Sequence, residues 1–220
     1  MIRNLVKPGD LVFDVGLNIG DKSEVFLSLG AKVVGFEPQI ECYNYSVSRF
    51  SNNNNFVAEN VALDNKVGTE KIFIASYHTI SSMSEKFIRE TKKERFTEFN
   101  WNNERIINVD TLDNMIEKYG KPNYIKIDVE GYEYNVISGL HTPIDLISIE
   151  FNAELCQETL KTIDFIDDLN SGKTEFNYQY TVNDHFKFSN WITKEEIKNY
   201  LSSVNDFKIE FGDVFCRKLN

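Results

Sequence analysis

Through the first two thirds of the chain, short apolar runs alternate with stretches whose apolar side chains recur at helical spacing. Leu11-Val12-Phe13-Asp14-Val15 is bounded by Gly9-Asp10 and Gly16 and reads as a strand buried on both faces. Lys22 to Leu29 then places Val25, Phe26 and Leu29 on one helical face, with Gly30 at the C-terminal stop. Lys32 to Phe36 predicts a second strand and Ile40 to Phe50 a second helix. After the polar turn Ser51-Asn52-Asn53-Asn54-Asn55, Phe56 to Val61 predicts a third strand. Strand and helix alternating in this way imply right-handed βαβ units and a parallel sheet.

Lys71 to Ile74 and Ile106 to Val109 read as added strands, with a charged, helical and partly mobile segment from Glu85 to Glu104 between them. Helices follow at Thr111–Tyr119, Glu133–Leu140 and Ala153–Leu169, interleaved with strands at Tyr124–Asp128, Asp145–Glu150 and Phe176–Thr181. Thr193 with Glu196 three residues later is a capping box that opens another helix. Phe207 to Arg217 reads as one or two closing strands. There is no internal repeat and no linker composition. The expectation is a single α/β domain over residues 1–220, with an inserted segment at about 78–105 covering the active site.

Composition supports one core and narrows the partners. Hydrophobic residues make up 41% and charged residues 26%, enough apolar surface for one domain. A net charge of −10 is a poor footprint for tracking a phosphate backbone, so no nucleic-acid partner is expected. Arg89-Glu90-Thr91-Lys92-Lys93 is interrupted by an acid and reads as a solvated face. Cys42, Cys156 and Cys216 stand far apart without a CxxC pair, as expected of reduced thiols in a cytoplasmic protein. Neither a signal-peptide stretch nor a membrane-spanning run is visible.

Asp14-Val15-Gly16-Leu17-Asn18-Ile19-Gly20 joins the first strand to the first helix. In an open parallel sheet such a turn lies at the carboxyl edge, where ligands bind. A dinucleotide fold wants glycine at three places here; aligned on Gly16, this chain has Asn18 and Asp21 at the second and third. An acid at the helix N-terminus repels a phosphate but tolerates a ligand bearing an ammonium and a sulfonium. Glu37, which follows the second strand, is placed to accept both hydroxyls of a ribose, or else is a solvated strand-end acid.

The chain resembles the FkbM-family methyltransferases. The resemblance is carried by the turn above, by Gly35-Phe36-Glu37-Pro38, Asn60-Val61-Ala62-Leu63 and Ser81-Ser82-Met83, and by Val109-Asp110-Thr111-Leu112-Asp113. Ile125-Lys126-Ile127-Asp128-Val129-Glu130-Gly131-Tyr132-Glu133 is the most specific block, and Ile149-Glu150 and Gly212-Asp213-Val214-Phe215 extend the match. It implies a Rossmann-like seven-stranded sheet, mostly parallel with the last strand antiparallel, and helices on both faces. It further implies S-adenosylmethionine as cofactor and O-methylation of a sugar, glycan or small-metabolite hydroxyl. Asp14, Gly16, Asn18, Gly20, Glu37, Asn60, Ala62 and Asp128 are the cofactor-binding candidates. Leu17 departs from the alanine usual in the family, which at most alters the pocket wall.

An alcohol is a poor nucleophile at neutral pH, so a base is expected beside the acceptor. Lys126, Asp128 and Glu130 alternate and share one face if the strand continues. Asp128 and Glu130 are therefore candidate catalytic groups, against the alternative that Glu130 and Glu133 simply favour the next helix N-terminus. Lys126 reads as an ion-pair partner. His78 is a third candidate base, although a lone loop histidine is more often incidental. His141 reads as a helix cap and His185 as an exposed residue or part of the acceptor wall. Asp128 and Glu150 fall on adjacent strands, but no local spacing signals a metal, and none is expected. An NAD-type oxidoreductase and a non-catalytic cofactor-binding module stay open as alternatives. An amino-methylating nucleic-acid enzyme lacks its Asp/Asn-Pro-Pro-aromatic motif here, since Asp128 is followed by Val129-Glu130-Gly131.

Overall fold

The computed structural model describes residues 2–181, 185–204 and 211–219. Strand β1 (Leu11–Val15), helix α1 (Asp21–Ser28), β2 (Lys32–Phe36), α2 (Ile40–Arg49) and β3 (Phe56–Glu59) form the first half in the expected order. Next come β4 (Ala62–Leu63), β5 (Gly68–Ile74), α3 (Glu85–Thr91), β6 (Asn103–Asp110), α4 (Leu112–Tyr119) and β7 (Tyr124–Ile127). The remainder is α5 (Glu133–Ile137), β8 (Leu146–Phe151), α6 (Cys156–Leu169), β9 (Thr174–Tyr180), α7 (Lys194–Ser203) and β10 (Gly212–Lys218).

Seven strands make one sheet in the order β3-β2-β1-β7-β8-β10-β9. The first five are parallel, and β10 runs antiparallel between β8 and β9. The order reverses between β1 and β7, so their carboxyl ends open the crevice in which ligands of such sheets bind.

Alternation along the strands sorts the two faces. Phe13, Val15, Val34, Phe36, Ile125, Ile127, Ile147 and Ile149 point into the larger core, capped by Met115, Val136, Ile163 and Ile197 of the helices. Val12, Val33, Tyr124, Leu146 and Phe215 face the other way, toward Phe26 of α1. On that second face Asp14 pairs in register with Lys126, and Lys126 with Ser148. A polar row therefore crosses the centre of the sheet.

The added strands do not extend this sheet. β5 and β6 pair antiparallel and, with β4 parallel to the end of β6, build a separate three-stranded sheet. Residues 75–102 leave from the end of that hairpin. Only Glu85–Thr91 of the charged segment is an α-helix, capped by Ser84 Oγ accepting from the Phe87 N–H; turns and irregular chain then lead into β6. The capping box at Thr193 and Glu196 is present in both directions. Of the closing segment, Gly212–Lys218 is one strand, and residues 207–210 lie outside the described residues. Among the described residues, no helix is long and apolar enough to cross a membrane.

Candidate functional site

The turn after β1 leaves the strand through three left-handed residues: Gly16 at φ 83°, Asn18 at φ 51° and Gly20 at φ 87°. Asparagine tolerates this region better than most residues, so Asn18 occupies the second glycine's place without abandoning its backbone conformation. Gly16 is required by packing: a Cβ there would lie 1.7 Å from the Asp128 carbonyl oxygen. Gly20 caps α1 and faces the Phe50 ring, away from the crevice. Leu17 is buried and packs on Gly35, whose missing Cβ makes room for it. The departure at Leu17 thus changes the core and not the pocket wall.

A cavity with about 760 Å³ of empty space opens at the carboxyl ends of β1 and β2. Its walls include Gly16, Asn18, Phe36, Glu37, Ala62, His78, Asp128 and Glu130, so those site candidates are brought together. Glu37 is 3% exposed; one carboxylate oxygen accepts the Asn18 N–H and the other the Gln39 N–H, each at 2.8 Å. Burial pushes its pKa up to about 7, against the pull of those two donors. Each oxygen retains a second lone pair for a ligand hydroxyl. This wall, with the apolar sides of Phe36, Pro38, Ala62, Leu63, Ile72 and Met83, fits an adenine nucleoside.

Two other candidates stand behind the wall. Asn60 donates to the Glu37 and Pro38 carbonyls at 2.9 and 3.1 Å and holds the chain after β2. Asp14 is wholly buried on the opposite face, accepting from Ser23 Oγ at 2.6 Å, with Lys126 Nζ at 3.7 Å. Neither is among the residues that line the cavity. Asp21 also fails to face it: its carboxylate is 72% exposed and ion-paired with Arg49 at 2.6 Å. The acids that face the crevice are instead Glu37, Asp128 and Glu130.

The strand β7 ends at Ile127, and Glu130 sits at φ 55° in the following turn, so it does not continue the alternation of Lys126 and Asp128. The turn is held from inside. One oxygen of Glu133 accepts the Val129 and Gly131 N–H groups, both at 3.1 Å, and Ser82 Oγ donates to the Glu130 carbonyl at 2.7 Å. Gly131 is needed because Phe87 and Leu155 press against it. The outcome still brings carboxylate oxygens of Asp128, Glu130 and Glu150 within 4.8 Å of one another. Burial and the neighbouring acids push Glu130 and Glu150 well above the ordinary carboxylate range.

Arg95, which the sequence did not single out, supplies a cation near these acids. It donates to Asn152 Oδ1 at 2.5 Å, and Asn152 Nδ2 donates to Glu150 at 2.8 Å. Its guanidinium also lies over the Phe96 ring, 4.6 Å from the centroid, and pairs with Glu154 at 3.1 Å. His78 is fastened elsewhere: its carbonyl accepts from Gln39 Nε2 at 3.1 Å and Asn18 Nδ2 at 3.5 Å, beside Glu37. His141 is exposed and paired with Asp113, and His185 is exposed.

No curated protein matches the chain in sequence. In fold it is similar to an rRNA methylase from Streptococcus thermophilus, at TM-score 0.51 and 10% identity, covering 100% of this chain and 92% of that one. It is equally similar to a Streptococcus mutans protein described as a methyltransferase and solved in complex with SAH, at TM-score 0.51, 12% identity and coverage of 99% and 93%. Precorrin-6y C5,15-methyltransferase from Geobacter metallireducens gives TM-score 0.50 at 8% identity, with coverage of 99% and 85%. These likenesses are of fold; the family is fixed by the methyltransferase FkbM domain model, which matches residues 14–180. The chain belongs to the FkbM methyltransferase family, whose methyl donor is S-adenosylmethionine.

Proposed function

We propose that this chain transfers the methyl group of S-adenosylmethionine to a hydroxyl oxygen of a sugar, glycan or small metabolite. The observation that carries the reading is the carboxylate group of Asp128, Glu130 and Glu150 beside the nucleoside cavity. The chemistry supplied by the donor, when bound, is an electrophilic methyl carbon on a sulfonium. Glu37 takes the two ribose hydroxyls, and Gly16 and Asn18 shape the turn along the donor. Asp128 orients the acceptor, held in place by Lys126 at 3.0 Å. With the donor bound, Glu130 would take the proton of the acceptor hydroxyl as the methyl group is transferred.

An acid-rich cavity mouth makes a poor seat for a phosphodiester, and the net charge is −10. We therefore favour an uncharged acceptor over RNA, although two structural neighbours are named rRNA methylases. In this reading the two sheets and the segment 78–105 act as one catalytic domain, working in the cytoplasm. The test is methyl transfer from labelled donor to a panel of sugars, glycans and hydroxylated metabolites, run beside ribosomal RNA. A methyl ether on a hydroxyl acceptor is expected; label appearing in RNA or on nitrogen alone overturns the proposal.

A further inference from the structure

We infer that His78 reads the adenine of the methyl donor, its ring Nδ1 accepting a hydrogen bond from the exocyclic amine. The inference rests on the cofactor reading of the cavity and adds a specificity determinant to it. Among the described residues, His78 Nδ1 is buried and has no hydrogen-bond partner, and the residue lines the cavity. A buried ring nitrogen without a partner is costly, and a ligand that supplies the missing donor recovers that cost.

The neighbourhood shows which donor. The His78 carbonyl is held by the Asn18 and Gln39 side chains, and the backbone N–H groups of the same two residues hold the Glu37 carboxylate. His78 and Glu37 are thus fixed to one frame.

Donor counting completes the assignment. S-adenosylhomocysteine offers two ribose hydroxyls, an exocyclic amine and an ammonium. The Glu37 carboxylate, held by the Asn18 and Gln39 N–H groups, meets the hydroxyls, and the acids Asp128 and Glu130 on the same cavity suit the ammonium. That leaves the amine for His78, whose unprotonated ring nitrogen is an acceptor. Phe36, Pro38, Ala62, Leu63 and Ile72 supply the apolar walls a purine needs.

The experiment is titration calorimetry of wild type and His78→Phe with S-adenosylhomocysteine and with S-inosylhomocysteine, in which a carbonyl replaces the amine. Wild type is expected to prefer the adenosyl ligand by about tenfold, and His78→Phe to bind both with similar, weaker affinity. His78→Asn, which keeps an acceptor, restores part of the preference. Equal binding of both ligands by wild type, or full discrimination by a folded His78→Phe, overturns the inference. If wild type binds neither ligand at millimolar concentration, the cofactor reading fails and the inference fails with it.

Discussion

The Lys126 ammonium lies 3.0 Å from the Asp128 carboxylate and 3.7 Å from that of Asp14, with 5% of its side chain exposed. Burial alone favours the neutral amine, but Asp128, Asp14 and Asp213 outweigh it and hold the charged form. The lysine therefore joins the buried row on the sheet to the acid at the mouth of the cavity. Replacing it with methionine leaves Asp14 and Asp128 without their cation. The expected loss is about 3–5 kcal/mol in urea unfolding, as for other broken buried pairs. A loss below about 1 kcal/mol shows that water compensates the two acids instead.

Glu37→Ala is expected to weaken S-adenosylhomocysteine binding by about one to two orders of magnitude, because two charge-assisted hydrogen bonds disappear. Calorimetry that returns the wild-type affinity removes Glu37 from the site.

The same residue sets a pH dependence. Burial pushes Glu37 and Glu133 up to about 7, against 4.5 for an ordinary glutamate. Between those values the folded chain binds more protons than the unfolded one, so stability falls as pH rises. The contribution is complete below 4.5 and gone above 7. Glu37→Gln removes one share, worth about 3 kcal/mol over the window, and flattens the curve of stability against pH. Ligand affinity runs the other way, since only the carboxylate accepts both ribose hydroxyls. Binding of S-adenosylhomocysteine should tighten from pH 6 to pH 8 in wild type, and a flat profile contradicts the ribose role.

Gly16→Ala combines a left-handed backbone with a Cβ placed 1.7 Å from the Asp128 carbonyl. Gly9, at φ 89° with nothing within 4 Å, isolates the backbone term. Gly9→Ala is expected to lower Tm by about 2–4 °C and Gly16→Ala by about 10 °C or more. Similar Tm values for the two variants would show that the turn after β1 can move aside.

Glu130→Gln separates two uses of the acid cluster. As proton acceptor, Glu130 is needed for turnover and not for donor affinity, so kcat should fall about 10²–10⁴-fold at unchanged affinity for S-adenosylhomocysteine. Activity of the wild type should persist in EDTA. Loss of activity on chelation, recovered with a divalent cation, would instead make the three carboxylates ligands.

Much of this architecture was legible because its signals are local. Buried parallel strands read as continuous apolar runs, and Gly9, Gly16 and Gly30 punctuate them at left-handed positions. The separate sheet of β4, β5 and β6 was not legible, because alternation shows that a strand exists but not which strand it joins. Asp21 misled for a related reason. Its position in sequence puts it at a helix N-terminus, while its direction depends on Arg49, 28 residues away. Asp14 carries the family motif yet serves the buried row with Ser23 and Lys126, a pairing visible only once β1 and β7 are neighbours. Arg95 and Asn152 gave no signal at all, since they lie 57 residues apart and meet only in the folded chain.

The antiparallel strand β10 has a bearing on how the molecule is made. It fills the gap between β8 and β9, so β9 touches the main sheet only through a partner synthesised about 30 residues later. The nucleoside-facing strands can assemble while the chain is still being made, but that edge must wait. Gly212 marks how closely the late arrival fits, since a Cβ there would sit 2.0 Å from the Gln179 carbonyl.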